Sequence, residues 1–281
     1  WAMSAAAALS ARKAMQDFAA GKPAAGAYSN TCIGDKTDIG GWHFSPQVLV
    51  DLDSVRAGGR EGKCNPSYAD QGLTLASLAG GVVSARCVPN FAGLEPSCPV
   101  ACNAPSSKYF AVADNKIATG CFSAGEGPVE WTACADPSQQ PTRLRATRPL
   151  RVIGQEAMKR EISASGPIIC LVNFYRKANG AHPAWTLADK ALFGTAVSSI
   201  ISPGFVARPN MDGAEYTKRF LEGGHSMTVY GYGVSGSGVP YWNVRNSWGG
   251  TWGDKGNIKI ERGIDAWNIE SACASSRVMD A

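Results

Sequence analysis

Two neighbouring stretches, GGHSMTVYGYGV (residues 223–234) and VPYWNVRNSW (239–248), are rich in aromatic and β-branched residues and are separated by Ser235-Gly236-Ser237-Gly238. Apolar-rich runs flanking a Ser/Gly turn predict two antiparallel strands of one hairpin. His225 opens the first strand behind Gly223-Gly224, and Asn246 lies near the end of the second, ahead of Ser247-Trp248-Gly249. Adjacent antiparallel strands can bring such side chains together at one sheet end. An Asn amide oxygen can hold one imidazole nitrogen and fix the tautomer, leaving the other nitrogen to take a proton from a nucleophile. A Trp beside the pair would keep water off that bond. His43 and His182, the other two histidines, read as ordinary polar residues.

Outward from the hairpin, GNIKIERG (256–263) alternates like a further strand and PIICLVNFY (167–175) is a strong apolar strand. RVIGQEAMKREISASG (151–166) reads as a helix. The second half is therefore mainly antiparallel β. The first half reads as helical: an Ala-rich segment over 1–20 with Gly21 as its stop, FSPQVLVDL (44–52) opening on Ser45-Pro46, and SYADQGLTLASLAGG (67–81). The Ala-rich helix, small or apolar on most faces, is expected to pack inside a domain. The class is α+β, a helical lobe before a β lobe. Residues 88–150, rich in Pro, Gly, Ser and Ala, read as a disulfide-tied excursion over the surface.

The 281 residues suffice for one sizeable core, and 44% hydrophobic with 18% charged residues is ordinary for a globular protein. A net charge of +4 with scattered Lys and Arg gives no basic run for nucleic acid. No stretch reaches the roughly 18 to 20 consecutive apolar residues of a membrane span. The Ala-rich start lacks the basic segment of a signal peptide. Nine cysteines suggest disulfides and an oxidising compartment; the odd number leaves one free or paired outside the chain. Cys170, within PIICLV, reads as a plain buried thiol. Cys98 and Cys102 lack a second Cys/His pair at zinc spacing, and no metal or cofactor is expected. Asn65-Pro66-Ser67 is no glycosylation sequon. Gly231-Tyr-Gly233-Val-Ser-Gly236 matches G-x-G-x-x-G, but a strand follows it where a dinucleotide site needs a helix.

GGHSMTVYGYG with PYWNVRNSWGGTWGDKGNIKIERG (240–263) closely resembles the C-terminal half of papain-like cysteine peptidases, and RGIDAWNIES (262–271) resembles the cathepsin B branch. FSPQVLVDL, CNPSY (64–68), Gly166-Pro167 and Trp1-Ala2-Met3-Ser4 match further family motifs. The resemblance implies a single papain-like two-lobe domain lacking its N-terminal segment. Residues 1–102 would form the mainly helical lobe and 103–150 a disulfide-tied insertion. Residues 151–281 would form the mainly β lobe, with an insertion over 176–220. It further implies that His225 is the general base and ion-pair partner, that Asn246 orients it, that Trp248 shields the pair and that Trp252 packs beneath. Trp1-Ala2-Met3-Ser4 matches the residues that follow the family's nucleophilic Cys, so that Cys is expected immediately before Trp1. The 1–281 chain alone is then expected to hydrolyse no peptide. By the same resemblance Cys64, and in the cathepsin B branch Cys32, pair with cysteines upstream. Cys87–Cys102 and Cys121–Cys134 are the expected pairs within the chain.

The chain departs from the family at several places. Pro66-Ser67 replace the Gly-Gly that lines the cleft; Ser67 keeps an N–H for a peptide backbone while Pro66 narrows that wall. Ser226 replaces the Ala after the catalytic His, and Leu52 replaces a Cys, leaving Cys98 without its usual partner. The stretch Cys87 to Cys98 holds no His, so the occluding loop of cathepsin B has no counterpart. Two functions follow: a cathepsin B-like endopeptidase acting on peptide or protein substrates in a lysosomal, vacuolar or extracellular setting, or a catalytically inactive relative that binds a protein partner through 103–150 and 176–220. Ala272 stands where cathepsin B has the Glu of its S2 pocket, which implies an apolar P2 preference. A dipeptidyl substrate series should show P2 Phe or Leu cleaved faster than P2 Arg; equal rates would contradict the placement of Ala272.

Overall fold

The computed structural model describes residues 1–22, 44–46, 48–49, 53, 68, 70–78, 81–83, 111–113, 116–119, 129–131, 143–175, 200–201, 221–247 and 253–280. The chain divides into two compact units, one of residues 1–150 with 276–281 and one of residues 151–275.

In the first unit, helix α1 (Ala2–Ala19) owes its continuity to an Ala-rich sequence of high helix propensity. Its termination follows from Gly21. At φ 66° that residue sits in the left-handed region, its N–H donates to Phe18 O, and Lys22 N–H donates to Asp17 O. This is the doubly bonded C-terminal cap that glycine favours. Ala2, Ala5, Ala6, Ala8 and Leu9 are buried, yet Met15 and Phe18 are exposed, Phe18 by 82%. The buried residues of the helix all lie between Ala2 and Arg12, and its last turns are exposed, whereas the small apolar sequence suggests burial along the whole length. Of the expected helix over 67–81, the described residues form α2 (Gln71–Leu78). A Cβ on Gly72 would lie 2.4 Å from the Ala5 Cβ, so α1 and α2 touch where both side chains are smallest. The Ser45 hydroxyl accepts the Val48 N–H at 3.2 Å, with Pro46 at the first helical position, as the capping pattern predicts.

Strands β1 (Val82–Val83), β2 (Ala111–Ala113), β3 (Lys116–Thr119), β4 (Val129–Trp131) and β5 (Arg143–Ala146) follow in this unit. β2, β3 and β4 form one three-stranded sheet, and β1 and β5 belong to another whose third strand is β13 (Val278–Asp280). The last residues therefore return to the first unit, which the division of the sequence at residue 150 does not anticipate. Buried Arg12 of α1 donates from Nη1 to Ser276 O at 3.0 Å, tying that return to the helix.

The second unit is built on a seven-stranded sheet. β6 (Leu150–Val152), β7 (Ile168–Tyr175), β8 (Ile200–Ile201), β9 (Leu221–Val234), β10 (Pro240–Arg245), β11 (Asn257–Glu261) and β12 (Cys273–Ser275) lie in the order β6-β12-β7-β9-β10-β11-β8. β7, β9, β10 and β11 pair antiparallel, whereas β8 runs parallel to β11. The G-x-G-x-x-G match falls on the end of β9 and the turn into β10, with no helix after it. α3 (Gln155–Ser165) begins four residues later than the sequence suggests. Residues 150–152 are strand, and Gly154, at φ 83°, turns the chain while its N–H donates to Glu270 O. Met158, Val172, Met227, Trp242, Val244 and Ile260 belong to the core of this unit. The buried Glu270 carboxylate accepts from Trp242 Nε1 at 2.9 Å and from the Gly263 N–H at 2.6 Å. It thereby satisfies two donors that would otherwise be stranded.

Cys170 is not the free thiol its apolar setting suggested. It is joined to Cys273 across the β7–β12 ladder, the two Cα atoms 4.0 Å apart, closing a loop of 103 residues in sequence. No helix among the described residues is long and apolar enough to cross a membrane. Replacing both cysteines of this bridge by alanine should cost about 2–4 kcal/mol in urea unfolding, chiefly by freeing the unfolded chain; a double variant as stable as the parent would contradict a formed bridge.

Candidate functional site

His225 and Asn246 meet in the second unit, and the sheet explains how. β10 pairs with β9 as Trp242↔Tyr232 and Asn243↔Gly231, then as Val244↔Val229 and Arg245↔Thr228. Tyr230 is the extra residue of a β-bulge. Facing residues of an antiparallel pair project to one side, and sides alternate along each strand. Past the bulge, Val244 and Asn246 therefore share a side with Val229, Met227 and His225. With an unbroken register Asn246 would face Thr228 and lie on the opposite side from His225. The single inserted residue is what puts the two side chains on the same face.

His225 Nε2 lies 2.8 Å from Asn246 Oδ1. The same oxygen accepts the Ser247 backbone N–H at 2.7 Å. A backbone amide can only donate, so the atom facing it must be the carboxamide oxygen and not the nitrogen. The imidazole must then donate from Nε2. In the neutral ring, Nδ1 is left with its lone pair, the nitrogen able to accept a proton. Asn246 is 5% exposed, and its Nδ2 is buried with no partner among the described residues. Its backbone N–H donates to Gly256 O at 2.9 Å. Burial holds the His225 imidazole below its ordinary value by penalising the charged form, and the Asn246 hydrogen bond pulls the other way.

The neighbours of the pair are also accounted for. Gly224 is small because a Cβ there would lie 2.9 Å from Leu171 Cδ1. Ser226 is buried and pairs with Leu171 of β7. Leu171 N–H donates to the carbonyl of Ala272, a half-buried residue just ahead of β12. Trp1, in the first unit, stands at the head of α1 and its carbonyl accepts the Ala5 N–H. Pro66, Ser67, Trp248, Trp252, Cys87, Cys102, Cys121 and Cys134 lie outside the described residues. Among the described residues no group of three or more His, Cys, Asp and Glu side chains could hold a metal ion. Sequence reasoning missed the Ser247 amide, because backbone groups carry no sequence signal. It also missed the bulge, which no Pro or unusual residue marks at Tyr230.

Residues 211–277 match the profile of the family described as papain family cysteine protease. Among curated proteins, the chain is similar to cathepsin B-like CP2 of Giardia intestinalis, 43% identical over 56 residues, which is 20% of this chain and 19% of that protein. It is also similar to the thiol protease aleurain of Arabidopsis thaliana, 49% identical over 55 residues, covering 20% and 15%. The match thus spans less than a fifth of the length of either relative. Among solved structures, proCathepsin B S9 from Trypanosoma congolense superposes with a TM-score of 0.54 at 20% identity, covering 100% of this chain and 68% of that one. The proform of the ragweed pollen cysteine protease Amb a 11 does so with a TM-score of 0.50 at 19% identity, covering 100% and 58%. The fold is papain-like α+β.

The depressed His225 value has a definite consequence for stability. Between the folded value and the unfolded one near about 6.5, the unfolded chain binds the extra proton, so stability rises with pH through that window and is lost on acidification. An NMR titration of His225 in the 1–281 chain should give a midpoint below about 6.5, and Asn246→Ala should lower it further. A midpoint at or above the ordinary value would contradict burial of the imidazole as the dominant influence on it.

Proposed function

We infer that this papain-like chain, of the cathepsin B-like kind, works as a cysteine-type endopeptidase on protein substrates. The observation that supports the reading most directly is the bond between His225 Nε2 and an Asn246 oxygen already fixed by the Ser247 amide. It leaves Nδ1 as the nitrogen available to a thiol. By resemblance, the nucleophile is a Cys at the position before Trp1, heading α1. An 18-residue helix carries a partial positive charge at its N-terminus that lowers the pKa of a thiol there, and an imidazolium partner lowers it further.

The proton inventory of such a site is short. His225 Nδ1 takes the thiol proton and forms a thiolate–imidazolium pair. The thiolate attacks the peptide carbonyl carbon, forming the S–C bond as the π electrons move to oxygen. As the tetrahedral intermediate collapses, the C–N bond breaks and Nδ1 returns its proton to the departing amine. A water then attacks the thioester, Nδ1 takes one of its protons, and the C–S bond breaks to give the carboxylic acid and restore the ion pair. Asn246 keeps the ring aimed throughout, because its oxygen partner does not change.

Ala272 supports a preference for apolar P2 side chains, and the His-free stretch after Cys87 supports internal cleavage over carboxy-terminal trimming. The Cys170–Cys273 bridge and the cysteine count support work in a lysosomal, vacuolar or extracellular compartment. One feature favours the second reading, a non-catalytic protein that binds partners through 103–150 and 176–220: Pro66-Ser67 stand where the family has Gly-Gly.

The two readings separate in one experiment. The full-length protein should be labelled by a thiol-directed epoxide probe and should hydrolyse peptides. His225→Ala should cut both by about a hundredfold or more. A folded full-length protein that neither labels nor cleaves would sink the peptidase reading and leave the binding role.

A further inference from the structure

Asn246 can hold His225 only if its own backbone is held, and the structure shows what holds it. β10 ends at Arg245, paired with Asn257 of β11. One step beyond, Asn246 N–H donates to Gly256 O at 2.9 Å. Gly256 belongs to the turn 253–256, three of whose residues are left-handed: Gly253 at φ 57°, Lys255 at 49° and Gly256 at 85°. Such backbone persists only where the surroundings insist on it, above all at the non-glycine Lys255. The clamp is visible. Arg245 Nη1 donates to Lys255 O at 2.5 Å. Asn257 Nδ2 donates to Asp254 O at 2.9 Å and to Lys255 O at 3.3 Å. Asp254 and Asn257 also exchange backbone hydrogen bonds at 2.9 Å each way. At Gly253 a Cβ would meet Asn257 O at 2.4 Å, so the turn closes too tightly for any other residue there.

Arg245 sits between two features that set the pair. On one side it pins the carbonyl next to the one that receives the Asn246 N–H. On the other its charge opposes the rise that burial gives the phenol of the bulge residue Tyr230. We propose that Arg245, through the 253–256 turn, is a positioning residue that fixes Asn246 and with it the aim of the His225 imidazole. The role rests on the peptidase reading for its catalytic consequence, but the geometric claim stands apart from it. Arg245 pairs with Thr228 and so faces the opposite side of the sheet from His225; it acts through Lys255 O, Gly256 O and the Asn246 backbone.

The test uses Arg245→Met, which keeps an aliphatic stem and removes the donor, beside Arg245→Lys, which restores one. In the 1–281 chain, the His225 Nε2 proton should exchange with solvent about tenfold faster in Arg245→Met, as expected for the loss of roughly one hydrogen bond's worth of ordering. Arg245→Lys should recover most of the protection. In full-length protein, kcat should fall about tenfold in Arg245→Met with KM unchanged, since ring aim affects the reacting geometry and not substrate binding. Asn257→Ala, which removes the other side-chain donors to the same turn, should act in the same direction and serves if Arg245→Met does not fold. Unchanged Nε2 proton exchange in a folded Arg245→Met or Asn257→Ala chain would overturn the proposal. Faster exchange in a protein whose parent shows no peptidase activity would support the positioning role and reject the peptidase reading.

Discussion

The Ser247 backbone N–H settles the orientation of the Asn246 carboxamide, and the site depends on that choice. A flipped carboxamide would set an NH2 against the amide donor, a repulsive contact. It would also ask the imidazole to accept at Nε2, which places the ring proton on Nδ1 and removes the lone pair a nucleophile's proton would need. The bond of 2.7 Å to Ser247 is therefore as much a part of the site as the bond of 2.8 Å to His225.

Two constraints of the sheet place those groups. The bulge at Tyr230 changes the parity of β9, so that the half carrying His225 faces the side on which Asn246 stands. The ladder to Gly256 and the tight turn behind it then end β10 at a fixed point. Beneath them lies a core that includes Met227, Val229, Trp242 and Val244; these residues alternate along β9 and β10 and lead to the His225–Asn246 pair. The apolar core and the polar pair thus occupy one face of one sheet.

Much of this was legible in the residues. The β9–β10 hairpin, β7 and β11 follow from alternation and from the Ser/Gly turn. The end of α1 follows from Gly21, and the helical start after Ser45 follows from its hydroxyl and Pro46. The partnership of His225 with Asn246 follows from their place on neighbouring strands, but His225 lies inside β9, which begins at Leu221, and does not open the strand as Gly223-Gly224 suggests. What stayed hidden is of another kind. β6 precedes α3 because Gly154 turns the chain, and the helical period of 151–166 masks that break. Cys170 looked like a core thiol because its partner lies 103 residues away, beyond any local pattern. β13 leaves the second unit for a pairing with β5, a long-range choice that three residues cannot announce. The bulge and the Ser247 amide are backbone events, and side-chain chemistry does not encode them in readable form.

The tautomer of His225 is the most direct test of the fixed Asn246 carboxamide. Nitrogen-15 spectra of the imidazole, recorded on the folded chain at a pH above the His225 midpoint, distinguish a ring nitrogen bearing hydrogen from one bearing a lone pair. The bonds at Asn246 Oδ1 require hydrogen on Nε2 and a lone pair on Nδ1. Hydrogen on Nδ1, or an even mixture of the two forms, would contradict that arrangement.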